Sequence, residues 1–245
     1  MRKLRGAEPI FLPGAYAAEI AIAGEAALCD RRGVLYFPDL GLLCVSDLHL
    51  EKGSSLARRG MLVPPYDTAA TLLRLQAVID HYRPKIVVSL GDSFHDGEGA
   101  SRLPNRMRLD LSAMMAGREW FWVSGNHDPD PPAGLPGDTV DALAAGALTF
   151  RHEPLKGRAA SAISGEIAGH LHPCARIVQR GRSVRRRCFA SDGERIVMPA
   201  FGAYTGSLNV LDRAYAGLFH PEGLMAYMIG ASKVFAISGA MLRPG

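Results

Sequence analysis

Thiol chemistry has little to work with in this chain. Its four cysteines, Cys29, Cys44, Cys174 and Cys188, are widely scattered and show no C-x-x-C spacing. That pattern argues against a zinc-thiolate site or a disulfide framework and fits free thiols in a reducing compartment. Long apolar runs are missing as well, which excludes a membrane-spanning helix. Met1 to Arg5 is basic and Ala15-Tyr16-Ala17 is a weak match to a signal cleavage site. Glu8-Pro9 and Pro13-Gly14 nevertheless interrupt the stretch and leave only Ile10 to Leu12 apolar. A cytoplasmic protein without membrane contact is the expectation. No linker rich in Pro, Gly or Ser, no internal repeat and no low-complexity segment breaks the chain, so residues 1–245 read as a single domain.

What is present is an ordinary globular composition, 48% hydrophobic and 21% charged, on a chain of 245 residues that is long enough to bury an ample core. The net charge of +4 is mild, but Arg176, Arg180, Arg182, Arg185, Arg186 and Arg187 fall close together and point to an anionic partner. Glu19 to Ile22, Val34 to Phe37 and Leu42 to Ser46 read as strands, with a hairpin turn from Pro38 to Gly41 between the last two. Asp67 reads as the N-cap of a helix carrying Leu72, Leu73, Leu75, Val78 and Ile79 up to Arg83-Pro84. The strand Ile86 to Leu90, a helix around Arg106 to Met115 and the strand Trp120 to Ser124 make a second β-α-β unit. After His172 only strands and turns follow, with Ser183 to Ala190 and Arg195 to Met198 flanking the hairpin signal Asp192-Gly193, and Leu224 to Ile229 and Lys233 to Ile237 closing the chain. An α/β first half and an all-β second half suggest two sheets packed face to face, with helices outside.

Five polar clusters carry the chemistry: Asp47-Leu48-His49, Gly91-Asp92, Gly125-Asn126-His127-Asp128, His152, and Gly169-His170-Leu171-His172. Three directly follow β-prone runs and the last follows Ile167-Ala168, so each reads as a loop at a strand end, where ligands gather in α/β proteins. Alternate residues of an extended segment share a face, so Asp47 with His49, and His170 with His172, read as two pincers. With Asp92 between them they resemble the inner shell of a dinuclear centre bridged by one carboxylate. Asn126 and His152 complete the second sphere, and the mixed nitrogen and oxygen set suits Mn, with Fe or Zn as alternatives. Singly, a D-x-H or H-x-H tripeptide is common and a lone strand-end histidine is usually a hydrogen-bonded residue; the ordered set of five is what carries the reading.

In this order the clusters resemble the calcineurin-like metallophosphoesterases. The segments Asp47-Leu-His-Leu-Glu-Lys-Gly-Ser-Ser55, Pro64-Pro-Tyr-Asp-Thr68, Leu90-Gly-Asp-Ser-Phe-His-Asp96, Phe150-Arg-His-Glu-Pro154 and Pro199-Ala-Phe-Gly-Ala-Tyr-Thr-Gly206 are similar to the bacterial ligase-associated DNA damage response endonucleases. The likeness extends from about Gly14 onward. It implies an α/β fold, a four-layer α/β/β/α sandwich with two mixed β-sheets, holding two divalent metal ions. It also implies Asp47, His49 and His172 on one metal, Asn126, His152 and His170 on the other, and Asp92 bridging. DNA as substrate, and an ATP-dependent DNA ligase, a helicase and another nuclease as partners, follow from the same likeness. One departure stands out: where many members carry G-D-x-x-D, His95 takes the place of the second aspartate and Asp96 follows it.

A phosphodiester resists hydrolysis because its oxygens repel hydroxide and its alkoxide leaves poorly; two cations about 3.5–4 Å apart ease both steps. His127 sits beside Asn126 and is not needed on a metal, so it is the candidate general acid for the leaving oxygen, with Asp128, His95 or Asp96 to orient it. Lys52, Ser54, Ser55, Arg58 and Arg59 read either as a phosphate-binding edge or as an exposed loop entering a helix. The arginines from Arg185 to Arg187 read either as a nucleic-acid contact or as a solvated strand face. Two other functions compete with a DNA phosphodiesterase: hydrolysis of small nucleotide or nucleotide-lipid phosphoanhydrides, with Phe201, Tyr204 and Leu208 lining an apolar pocket, and a non-catalytic binding module.

Overall fold

The computed structural model describes residues 16–157 and 164–245, so the interrupted apolar stretch Ile10 to Leu12 lies outside the described residues. The first sheet runs in chain order through β1 (Ala17–Ile22), β2 (Glu25–Asp30), β3 (Leu35–Phe37), β4 (Leu42–Val45), β5 (Ile86–Leu90), β6 (Glu119–Val123) and β7 (Asp138–Val140). β1 to β4 form an antiparallel meander, whereas β4 to β7 are parallel. Parallel neighbours need crossovers. Helices α1 (Lys52–Arg58) and α2 (Asp67–Tyr82) supply the first, and α3 (Gly99–Arg102) and α4 (Asn105–Met115) the second.

The second sheet collects β8 (Ala142–Ala145), β9 (Leu148–Arg151), β10 (Glu166–Ala168), β11 (Pro173–Gln179), β12 (Arg182–Ser191), β13 (Arg195–Val197), β14 (Leu208–Asn209), β15 (Met225–Ile229) and β16 (Val234–Ser238). It too is mixed: β9, β10 and β13 are parallel, while β12 is antiparallel to β11, β13 and β15. Alternation along the strands builds the layers. Leu43, Val45, Val87, Trp120 and Trp122 pack outward on α2 and α4. Leu42, Cys44, Val88, Leu90 and Val123 pack inward on Phe150, Ile167, Phe189 and Ile196 of the second sheet. Outside the second sheet, Cys188, Ala190 and Val197 are covered by Val210, Tyr215, Leu218 and Leu242, from segments containing the 3-10 turns Arg213–Tyr215 and Gly239–Met241. The expected sandwich of two mixed sheets is present, with its α-helices over the first. All four cysteines are buried free thiols.

Local departures have physical causes. Asp67 does not cap α2; it is the helix's first residue, and its carboxylate accepts the Gly53 N–H at 2.9 Å, serving the start of α1, which has no side-chain cap of its own. The sequence pattern gives no strand at β2, β7, β8, β9, β11 or β14; short or Ala-rich segments such as Ala142–Ala145 have weak β propensity and pair through their tertiary neighbours. The β11–β12 hairpin turns at Arg180 and Gly181, both with positive φ (50° and 74°), as a tight two-residue turn requires.

Candidate metal centre

Parallel β4, β5 and β6 end at Asp47, Asp92 and Asn126-His127, and parallel β9 and β10 end at His152 and His170, so all five clusters meet on one rim between the sheets. The pincers are not extended, contrary to expectation. Asp47, His49, His170 and His172 have φ between 43° and 67°, and Asp92 has 48°. These five are among only nine non-glycine residues with positive φ in the described residues. Each left-handed residue costs roughly 1–2 kcal/mol, and such strain gathers where a site needs it. Here it is held by hydrogen bonds: His49 N–H to the Asp92 carbonyl at 2.9 Å, Gly169 N–H to the His152 carbonyl at 2.9 Å, and His170 N–H to Asp47 Oδ2 at 3.1 Å. Gly91 and Gly125 are needed for closeness. A Cβ at Gly91 would strike the His152 ring, and one at Gly125 would strike the Asp92 backbone nitrogen and carboxylate.

Among the described residues three donor groups result: His49, His95 and His127 cluster at the mouth, and the other two are built from the expected ligands. Asp47, His49 and His172 bring ligand atoms within 4.8 Å of one another, and Asp92, His152 and His170 do the same. Asn126 joins the second group, with Oδ1 2.9 Å from His152 Nε2. Asp92 reaches toward both: Oδ1 lies 3.4 Å from His152 Nε2 and Oδ2 3.9 Å from His49 Nε2. The residues fit cations. Asp47 Oδ1 and His172 Nε2 are buried 3.2 Å apart, yet neither has a hydrogen-bond partner. Such orphaned polar atoms are rare in folded proteins, and a shared cation satisfies both. Burial pushes the His49 ring down to about 3, so it stays a neutral ligand. Burial works against charging His152 too, but the Asp92 hydrogen bond and the Asp47 and Asp92 charges outweigh it and raise that ring to about 9. A cation there displaces a proton. His152 Nδ1 lies 3.0 Å from the Leu90 carbonyl, which fixes Nε2 toward the centre.

His127 is half-exposed at the mouth, with its backbone N–H on Asp92 Oδ1 at 2.9 Å and Nε2 3.9 Å from Asp92 Oδ2. Its Nδ1 lies 2.8 Å from the His95 carbonyl, so the orienting group is a backbone oxygen. The His95 ring stacks on His127 at 5.1 Å and places Nδ1 3.4 Å from His49 Nδ1. The other two candidates face elsewhere. Asp128 accepts the Phe94 N–H at 2.9 Å, with burial pushing its carboxyl up to about 7, and Asp96 is held by two bonds from Arg102 at 2.8 and 2.9 Å.

Around this centre the other motif segments form a collar. Glu51 N–H donates to Thr68 Oγ1 at 2.8 Å, Ala203 N–H to Thr71 Oγ1 at 3.1 Å, and the Tyr204 hydroxyl to the Pro64 carbonyl at 2.8 Å. Thr68, Thr71 and Ser46, which donates to Asp47 Oδ2, are supports that the sequence reading does not give; only Thr68 falls in one of its motif segments. The expected phosphate edge assembles only in part. Arg58 is paired with Glu98 and Ser54 donates to Glu51, while among the described residues Lys52 and Arg59 form no salt bridge and are close enough to His95 to help depress its ring. The suggested apolar pocket does not form. Phe201 is fully buried in the core outside the first sheet, beneath Arg74, while Leu208 packs outside the second.

Two packed sheets sharing a rim of carboxylate and imidazole donors define a metal-dependent phosphoesterase. The chain belongs to the calcineurin-like phosphoesterase family, whose sequence profile matches residues 40–188. Among solved structures, that of the Pseudomonas putida nuclease MPE is similar over 90% of this chain and 100% of that one, at 25% identity and a TM-score of 0.70. The phosphoesterase Yfce from E. coli is more distant, at 13% identity and a TM-score of 0.38 over 80% of this chain and 98% of its own. No curated protein matches the chain in sequence. Among the described residues, no helix is long and apolar enough to cross a membrane.

Proposed function

We propose that this protein hydrolyses phosphodiester bonds in DNA, as an endonuclease or phosphodiesterase serving repair, with Mn as the metal and Fe or Zn as alternatives. The observation that carries the reading is the pair of donor groups meeting at Asp92, with the buried, unpartnered Asp47 Oδ1 and His172 Nε2 in the first of them. Asp47, His49 and His172 would hold one cation and Asn126, His152 and His170 the other, with Asp92 shared between the two groups. Bound together, such a pair activates water and draws charge from the phosphoryl oxygens. His127 supplies the proton as an imidazolium: Nδ1–H is given to the His95 carbonyl, and the second proton, on Nε2, passes to the leaving oxygen and leaves the ring neutral. Lys52 and Arg59 neutralise the phosphate beside it. Similarity to a nuclease over nearly the whole chain supports a polynucleotide, and the missing apolar pocket weighs against a nucleotide-lipid substrate. A non-catalytic binding module is disfavoured because none of the seven expected ligands, nor His127, is missing from the sequence.

The cytoplasm is the proposed location, and an ATP-dependent DNA ligase, a helicase and a second nuclease are the proposed partners, on the family resemblance. A panel of DNA, RNA and small phosphoesters, each assayed with Mn²⁺, tests the activity. DNA cleavage that chelation abolishes is expected. Hydrolysis confined to small phosphoanhydrides would overturn the reading.

A further inference from the structure

Between Pro173 and Arg187 lie six arginines and no acidic residue. Strand register sorts them by face. Cys174 opposes Arg187 and Arg176 opposes Arg185, so Arg176, Arg185 and Arg187 share one face, while Arg182 and Arg186 lie on the other with Ile177 and Val184. The first face lies on the side of the second sheet that faces the first, the side on which the metal rim opens. Phe189, next on the same side of β12, enters the core between the sheets. Arg185 donates to the Ser207 carbonyl and Arg187 to the Ala200 carbonyl, each at 2.8 Å. Those carbonyls bracket a loop tied to the centre: its Gly202 N–H donates to the Asp47 carbonyl at 3.1 Å, and the following Leu208 N–H donates to the His172 carbonyl at 2.9 Å. Because β11 starts right after His172, Arg187, Arg185 and Arg176 stand at growing distance from the rim, with Arg187 and Arg185 about 6.8 Å apart along the strand.

The charges on this face are uncompensated. Arg32, Arg58, Arg102, Arg151 and Arg195 all pair with acids, yet among the described residues no arginine of the hairpin does. Arg176 directly opposes Arg185, an arrangement that is unfavourable for like charges. An anion lying along the hairpin relieves it. We infer that Arg187, Arg185 and Arg176 form a track for the backbone phosphates of a polynucleotide on one side of the cleaved bond, leading away from the metal rim. The inference rests on the DNA phosphodiesterase reading and adds the path of the substrate.

The test compares Arg176→Gln with Arg185→Gln in one double variant against Arg182→Gln with Arg186→Gln in another; Arg187 is left intact because it is partly buried against the Ala200 carbonyl, whereas Arg185 is exposed. With the full chain loaded with Mn²⁺, the inhibition constant of an oligothymidylate against hydrolysis of bis-p-nitrophenyl phosphate is measured across a salt series. For the Arg176 and Arg185 pair, weaker inhibition is expected, with a log–log salt slope shallower by about 1.4, or about 0.7 for each single-strand phosphate no longer neutralised. The opposite-face pair should leave the slope unchanged, and hydrolysis of the small diester should persist in both. Equal flattening by both pairs would reduce the effect to general surface charge and overturn the track, as would no flattening by either. If the wild-type chain hydrolyses no phosphodiester, the functional reading fails separately, and fluorescence anisotropy of the same oligomer then reads the slope directly.

Discussion

Asp92 concentrates the chemistry of the rim, since its two oxygens face opposite donor groups and its backbone carbonyl holds His49 in its left-handed turn. Asp92→Asn should therefore lower metal content as well as turnover. Elemental analysis checks this, and two full equivalents retained in the variant would contradict the bridging role. His127 behaves differently because it sits on no cation in the proposed arrangement. His127→Ala should keep both metals yet slow cleavage of an alkyl diester by roughly 10²- to 10⁴-fold, with a smaller loss on an activated aryl diester. Equal losses on both substrates would remove His127 as the acid. Gly125→Ala probes geometry alone: the added methyl collides with Asp92 without removing any ligand. Overpacking of this kind costs roughly 1–3 kcal/mol. Reduced metal affinity, seen by calorimetric titration, is the expected result.

Elements are joined by short polar clamps. The Asp67 carboxylate and the Thr68 hydroxyl, at the start of α2, anchor Gly53 and Glu51 at the start of α1, which steadies the turn just after His49. At the other end of α2, Asp30 closes β2 onto the helix, accepting from the Tyr82 hydroxyl at 2.7 Å and from Arg32 at 2.6 and 2.9 Å. Burial alone would raise the Asp30 carboxyl, but the Arg32 and Tyr82 bonds outweigh it and hold it below the ordinary carboxylate range. A group depressed on folding stabilises fully above its unfolded pKa of about 3.9 and loses that contribution as pH falls through the folded value. Asp30→Asn should thus cost roughly 1.5–3 kcal/mol near neutrality, with the gap to wild type closing in acid. Urea melts at a series of pH values measure it; a gap independent of pH would show that the charge is not what matters.

At the scale of the whole molecule, donors from both sheets meet at one rim, so occupancy couples to the stability of the entire sandwich. A cation at 100 times its dissociation constant adds about 2.7 kcal/mol, and for a chain of this size its removal should lower Tm by roughly 5–10 °C. Differential scanning calorimetry with and without chelator should show one transition moving as a unit. Two transitions, only one of them metal-sensitive, would mean that the sheets melt separately and that residues 1–245 do not behave as one domain.

The donor residues, their order and their place at strand ends were legible in the sequence, because apolar runs such as Ile86 to Leu90 and Trp120 to Ser124 set their strands by local pattern and the polar residues after them had to lie in loops. The Asp192-Gly193 and Pro38 to Gly41 turns were legible for the same reason. The tertiary structure alone decided what those residues do with their backbones. Asp47 and His49 are neighbours in an extended reading, yet they turn left-handed because carbonyls at Gly91 and Asp92, more than forty residues on, accept their N–H groups. Asp67 resembles a helix cap and serves another helix; His127 is oriented by a carbonyl that no side-chain pattern could announce; and the arginines after Gln179 divide by face only through their pairing with β11. Local sterics and hydrophobic period act over a few residues and can be read in order, whereas hydrogen bonds and close approaches between distant segments exist only once the two sheets have packed.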